Sequence, residues 1–445
     1  MNENKFVYIR TFGCQQNEAD SETILGICQT RGFLPTLDPE EADLILFNTC
    51  AVREHAELKA LSTTGQLKHL KEKKRGLKIG LCGCMVQQEH RKEDIRHKYP
   101  YVDFVFGTNL LSRFGEILDQ VLQSKKRLFF LEDYKENPGA IREGLPVSRR
   151  YPYKAYVSVM YGCNNFCTYC IVPYVRGRER SREAEKIVEE VKKLVENGCR
   201  EITLLGQNVN SYGKDLPSPV TFTELLQKIC AIPGDFIVKF MTSHPKDATA
   251  ELFDQMKNEK MERHFHLPLQ SGSDAILKKM NRRYTARHYL SLVQALRERV
   301  PDIAVTTDLI VGFPGETEED FEATLSMMEK CRFDGVFSFI YSPRKGTPAA
   351  EMEGRLSDEV LKDRMARLIA LQQKISTEQN EKLLGKTLRV LCEGESKTDP
   401  AFLSGRTDAG KLVHFKNEGE DLTGKVVNVK IREAKAIMLI GERQI

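Results

Sequence analysis

Apolar residues recur along this chain in two rhythms, and the switches between them outline its parts. Short apolar runs at 6–10 (FVYIR), 43–49 (DLILFNT), 78–81 (KIGL) and 103–107 (DFVFG) read as strands, and the 3.6-periodic stretches 19–31, 53–75 and 87–98 between them read as helices. Strands alternating with helices predict an α/β domain on a mainly parallel sheet. Residues 135–150 (KENPGAIREGLPVSRR) are polar, rich in Gly, Pro and Arg, and carry no period, which marks a linker. Beyond them the alternation resumes, with strands expected near 156–160, 201–206, 236–241, 263–269, 304–311 and 335–340. Helices are expected at 182–197, 221–230, 247–258, 273–280, 285–298 and 317–330. Six such units are too few for the eight of a closed TIM barrel and fit a partial barrel. A charged helix at 357–384 leads to four short β runs, which predict a small terminal barrel.

Composition narrows the class. At 445 residues the chain has room for about three domains. Charged residues at 29% and hydrophobic ones at 41% exclude a largely disordered chain. The net charge is only +4, so a nucleic-acid partner would have to be held by a local patch. No apolar run approaches membrane-spanning length, and the segment MNENKFVYIR has no signal-peptide core. A cytosolic protein is therefore expected, in which twelve cysteines do not form a disulfide framework. Cys28, Cys199, Cys230, Cys331 and Cys392 stand alone in apolar surroundings and read as packing residues.

The others carry chemistry. Cys163, Cys167 and Cys170 form a Cys-x3-Cys-x2-Cys set after the first strand expected in the partial barrel, on the face where such barrels react. Thiolates at this density select zinc or iron–sulfur. Structural zinc wants four ligands, whereas three thiolates on a cubane cluster leave one iron open. Cys14, Cys50 and Cys84 each follow a different strand of the first sheet, and strand C-termini of open α/β sheets are where ligands bind. Cys82, two residues from Cys84, is a competing candidate.

The first set, with Tyr169 as the aromatic before its last cysteine, resembles the signature of radical S-adenosylmethionine (SAM) enzymes. Further motifs narrow the likeness: TFGCQQNEADSE (11–22), NTCAVRE around Cys50, GCMVQQE (83–89), LLGQNVNSYG (204–213), TSHP (242–245), HLPLQSGSD (266–274), LIVGFPGET (309–317) and SPRKGTPAA (342–350). Together they resemble the radical SAM methylthiotransferase family, most closely its MiaB-type tRNA enzymes; Gln16 stands where that type usually has Met. The resemblance implies an N-terminal methylthiotransferase domain over 1–122, a linker at 123–148, a radical SAM (β/α)6 core over 149–378 and a TRAM domain, a small OB-like β-barrel that binds RNA, over 379–445.

It further implies methylthiolation of N6-isopentenyladenosine at tRNA position 37. Two [4Fe-4S] clusters would be held by Cys163, Cys167 and Cys170 and by Cys14, Cys50 and Cys84, with SAM as cofactor. The alternatives are a relative acting on threonylcarbamoyladenosine and a non-catalytic, metal-stabilised RNA-binding protein. SAM contacts are expected from Tyr169, Gln207, Asn208, Gln270, Gly312 and Pro314. Residues 142–182 hold eight basic, two acidic and seven aromatic residues, a composition suited to an anticodon stem-loop. Arg176, Arg178, Arg180 and Arg182 are the expected RNA contacts. His244 and His266 read as satisfied loop histidines. A monomer is expected, served by an electron donor and a sulfur source.

Overall fold

The computed structural model describes residues 4–52, 54–134 and 137–444. Its first sheet comprises β1 (Lys5–Thr11), β2 (Phe33–Pro35), β3 (Leu44–Thr49), β4 (Lys78–Gly83), β5 (Phe104–Phe106) and β6 (Leu128–Phe130), in the order β2-β1-β3-β4-β5-β6. Every pairing is parallel. Both faces are covered, as a wholly parallel sheet requires. Leu44, Leu46, Phe104 and Phe106 pack on helix α1 (Gln15–Gln29) and the helix Phe114–Gln123. Ile45, Phe47, Ile79 and Leu81 pack on the other side with Ala60 and Ile95.

Two stretches differ from the expectation. Strand β6 lies inside 123–148, so that stretch is not linker throughout. The helix expected over 53–75 is two, Glu54–Gln66 and Leu70–Lys73, with Arg53 outside the described residues. Near the break, the Thr63 and Thr64 hydroxyls donate back to the Lys59 and Ala60 carbonyls, a contact that weakens a helix. Of the linker 135–150, residues 135–136 lie outside the described residues; the remainder has no regular structure and packs on α1, where Gly26 abuts the Pro146 carbonyl.

The second body is a partial barrel. Strand β7 (Lys154–Ser158) is followed by the short hairpin β8 (Met160–Tyr161) and β9 (Arg180–Ser181). Then come β10 (Glu201–Leu205), β11 (Ile237–Phe240), β12 (His264–His266), β13 (Ala304–Val311) and β14 (Gly335–Ile340). The parallel sets β7-β10-β11 and β12-β13-β14 are joined by a Val238–Met261 bridge. Strand β7 is thus an open edge, and α1 covers it: Gln16 Nε2 donates to Ser158 Oγ (2.9 Å), and the Tyr156 hydroxyl donates to Glu18 (2.8 Å).

The helix Asp358–Glu381, capped by Ser357, packs along β14 and leads to a closed barrel. That barrel comprises β15 (Thr387–Glu395), β16 (Phe402–Thr407), β17 (Leu412–Lys416), β18 (Val426–Ala434) and β19 (Leu439–Gln444). Polar contacts tie it to the partial barrel: Lys154 pairs with Glu393, and Lys411 with Asp334 (2.8 Å). Cys28, Cys199, Cys230, Cys331 and Cys392 are all buried, as expected of packing residues. Among the described residues no helix is long and apolar enough to cross a membrane.

The N-terminal end of the partial barrel is sealed by a buried ion trio. Lys239 sits between Glu201 (2.8 Å) and Glu262 (3.1 Å). Removing the cation strands two buried carboxylates, so Lys239→Met is expected to destabilise the chain by about 3 to 5 kcal/mol, read as a lowered thermal unfolding midpoint. Lys239→Met with both carboxylates changed to Gln should recover most of that loss.

Candidate active site

Strand order reverses at β1 and β3, and the crevice at such a switch point is where open parallel sheets bind ligands. Cys14 follows β1 and opens α1, Cys50 follows β3, and Cys84 follows β4. Three adjacent strands therefore deliver the three thiols to one place. Two glycines make the approach possible. A Cβ on Gly13 (φ +132°) would lie 2.7 Å from the Cys50 Cβ, and one on Gly83 (φ +96°) 2.2 Å from the Thr49 carbonyl oxygen. The loops are stitched together. Asn17 donates to the Thr49 carbonyl (2.9 Å), and the Cys84 amide donates to the same oxygen (2.8 Å). Cys82, within β4, packs with Ile24, Cys28 and Phe106 in the core.

The second thiol set follows the first barrel strand. Gly162 (φ +76°) donates its amide to Gln207 Oε1, and a Cβ there would meet the Arg178 carbonyl at 2.0 Å. The Cys163 amide bonds the Gly177 carbonyl (3.1 Å), and the Cys170 amide that of Cys167 (2.9 Å). Phe166 takes a left-handed φ of +47°, and Asn281 holds that turn by donating to its carbonyl (3.0 Å). Thr242 (φ +64°) and Gln270 (φ +73°) follow β11 and β12 in the same strained region. Non-glycine residues held there mark sites where the surrounding structure overrides local preference. Asn281 itself (φ +59°) is the fourth, and the fifth such residue among those described, Arg332, caps a helix.

Burial governs the thiols. It pushes Cys84 and Cys170 up to about 12 and Cys163 to about 11. A cation raises thiolate character, and each set has one: Arg176 Nε donates to Cys84 Sγ (3.1 Å) and Arg282 Nη1 to Cys167 Sγ (3.5 Å). Arg282 is anchored by the Pro268 carbonyl (2.7 Å) and the Tyr284 hydroxyl (2.8 Å). The sequence reading missed it, although it follows the thiol-facing loop in an NRRYT stretch dense in donors.

The loops that carry the two sets pack together. Ala51 and Cys84 share a small core with Ile171 and Val175, the residues just past Cys170. The Val175 carbonyl accepts from Thr108, and Arg344 donates to the Val52 carbonyl (2.9 Å). A separate cavity of about 1430 Å3 opens between all three bodies, bordered by Gln15, Thr203, Met241, Phe337 and Ile437, and none of the six cluster cysteines lines it.

Sequence comparison gives this geometry a family. The Radical SAM superfamily matches residues 157–328, the Uncharacterized protein family UPF0004 residues 6–107, and the TRAM domain residues 381–442. The chain is 50% identical over 440 residues to the tRNA-2-methylthio-N(6)-dimethylallyladenosine synthase of Alkaliphilus oremlandii, covering 99% of this chain and 93% of that one. It is 49% identical over 438 residues to the synthase of the same name from Clostridioides difficile, covering 98% and 91%. The chain belongs to this synthase family. Among solved structures, the radical SAM methyltransferase TsrM of Kitasatospora setae shares the fold, at a TM-score of 0.57 and 14% identity over 78% of this chain and 74% of that one.

The donor sets fit the clusters that the family implies. Each offers three thiols and a guanidinium, and buried polar atoms around the second set await partners. Asn210 has none for either side-chain atom, nor has Asn208 Oδ1 or Asn165 Oδ1. Among the described residues no three His, Cys, Asp or Glu side chains are gathered closely enough for a single ion.

The other expected contacts divide. Gln207 supports the cysteine loop, and Asn208 Nδ2 donates to Asp247 (2.8 Å). Tyr169 packs against Ile276, Met280 and Phe313. The Gly312 amide donates to Glu316 (2.9 Å), which pairs with Arg364, so the Gly312–Pro314 turn is braced by the helix Asp358–Glu381. Two of the four arginines expected at RNA are corrected. Arg176 is engaged with Cys84 and Asp20, and Arg182 with Glu143 and Glu190 (2.9 Å), each about 5% exposed. A buried guanidinium already paired with carboxylates is not free for phosphate. Arg180 is half-buried with its Nη1 on the Gly139 carbonyl (2.6 Å), while Arg178 is exposed over the Phe166 ring at 4.3 Å.

His266 Nδ1 bonds Thr306 (2.9 Å). Burial, aided by Arg282 and Lys246, pushes His244 down to about 2. Unfolding lets it titrate near 6.5, so its neutral burial stabilises the fold above that pH and the benefit fades as pH falls. Between pH 7.5 and 5.5 the wild-type chain should lose about 1.4 kcal/mol more stability than His244→Asn, measured by urea denaturation of both at each pH.

Proposed function

We propose that this chain methylthiolates C2 of N6-isopentenyladenosine at position 37 of tRNA, using SAM and two [4Fe-4S] clusters. The observation that carries the reading is a domain contact that packs Cys84, from one three-thiol set, against Ile171 and Val175, just past Cys170 of the other. The C2 hydrogen is not acidic, so acid–base groups have little purchase on it. Bound together, SAM and an open-iron cluster supply the radical that removes this hydrogen, and a second cluster supplies the sulfur.

The residues have separate tasks. Cys163, Cys167 and Cys170 would hold the radical-generating cluster, and Cys14, Cys50 and Cys84 the sulfur-carrying one. Asn208 and Asn210 present buried polar atoms, and Gln270 a strained turn, toward which SAM would lie. The contact of the first domain with the partial barrel buries Cys84 and the residues just past Cys170. Residues 1–122 serve sulfur delivery, 149–378 radical chemistry and 379–445 the RNA grip. Arg178, stacked on Phe166 and flanked by exposed Tyr174, is suited to the unpaired bases of an anticodon stem-loop, as a cytosolic enzyme would meet it.

Anaerobically reconstituted protein should bind about eight irons per chain, falling to about four when Cys163, Cys167 and Cys170 are all changed to Ala. Supplied with SAM, reductant and isopentenylated tRNA, it should yield the methylthio-isopentenyl nucleoside by mass spectrometry. Zinc in place of iron, or product only on threonylcarbamoylated tRNA, would overturn the proposal.

A further inference from the structure

Arg176 lies where the loop after Cys170 meets the first domain. It is 4% exposed, and its fork makes three contacts into the first domain: Nε to Cys84 Sγ (3.1 Å), and Nη2 to Asp20 Oδ2 (2.9 Å) and Asn17 Oδ1 (3.0 Å). The backbone carrying it is a short arc fixed at both ends to the second set. One end is Cys170. The other is Gly177, whose carbonyl accepts the Cys163 amide. Between them the turn Val172–Val175 presses Ile171 and Val175 onto Ala51 and Cys84, and the Arg176 amide closes it on the Val172 carbonyl (2.8 Å). One arc thus belongs to the radical set at its ends and grips the other set at its middle.

Charge points the same way. Asp20, itself 1% exposed, pairs with both Arg176 and Arg142. Two buried cations share one carboxylate, which leaves the network short of one negative charge, and the Nε of Arg176, next to the Nη2 that bonds Asp20, faces Cys84. A thiolate there closes the balance. Hydrogen bonds to cluster sulfurs raise reduction potential, and the planar arginine fork can serve a carboxylate and a sulfur together where a lysine serves one.

We propose that Arg176 is a positioning residue for the sulfur-carrying cluster. It donates to the Cys84 thiolate, sets that cluster's potential and holds it opposite the radical-generating thiols. The proposal rests on the reading that Cys14, Cys50 and Cys84 hold a second cluster. The test uses full-length protein with Cys163, Cys167 and Cys170 changed to Ala, reconstituted so that only this cluster is present. Arg176→Lys, which keeps the charge beside Asp20, is compared with this parent in a redox titration followed by electron paramagnetic resonance. The expected result is a more negative midpoint potential, with iron held near four per chain. A strut that only joins the domains would lower thermal stability without moving the potential; an unchanged potential at about four irons overturns the proposal alone. A parent that binds no iron overturns the second-cluster reading and the proposal with it. Should Arg176→Lys not fold, Arg176→Gln, which removes the charge as well, is read by the same criteria: a more negative potential at about four irons is expected, and an unchanged one overturns the proposal.

Discussion

A single buried carboxylate holds the three chain segments that make the site. Burial works to raise the Asp20 carboxyl, but Arg142 and Arg176 outweigh it and hold the group below its usual range. Asp20 comes from α1, Arg142 from the linker and Arg176 from the arc after Cys170. A buried ion network of this kind adds little net stability while complete, but losing one member leaves a charge that nothing neutralises. The arrangement therefore admits one docking of the first domain on the partial barrel. That docking puts Cys84 next to the residues that follow Cys170.

Both domains contribute in the way their architectures favour. A parallel sheet offers a crevice where its strand order reverses, and the first thiol set occupies it. A partial barrel leaves an edge strand, β7, that must be covered, and α1 covers it with Gln16 and Glu18. The same helix starts at Cys14 and carries Asp20. Closing the open edge and bringing the thiols together are thus one packing event. Strain gathers on the same side, at Phe166, Thr242, Gln270 and Asn281, where regular strands would leave no room for a bound group.

Much of this was legible in the chain. Periodicity located the strands that carry cysteines, and the placement of Cys14, Cys50 and Cys84 just past three of them implied convergence before any coordinates. The failures have physical causes. Strands β2 and β6 are three residues long and depend on their neighbours for pairing, so no local pattern announces them. The helix Phe114–Gln123 does carry the apolar spacing Phe114, Ile117, Leu118 and Val121, a signal that went unused. Arg176 and Arg182 looked like surface cations because the carboxylates that bury them, Asp20 and Glu143, lie 156 and 39 residues away. Composition of a segment cannot distinguish an arginine meant for phosphate from one meant for a distant aspartate. Arg282 is the same lesson in reverse: it reaches Cys167 only because the chain folds 115 residues back on itself.

The central claim is that the two clusters face each other across this contact, and their magnetic interaction reports on it most directly. Both clusters would be reduced in reconstituted wild-type protein and the electron paramagnetic resonance spectrum compared with those of two variants, one lacking Cys163, Cys167 and Cys170 and one lacking Cys14, Cys50 and Cys84. Mutual broadening in the wild type, absent from each variant, is the expected result. A wild-type spectrum equal to the sum of the two variant spectra would contradict it.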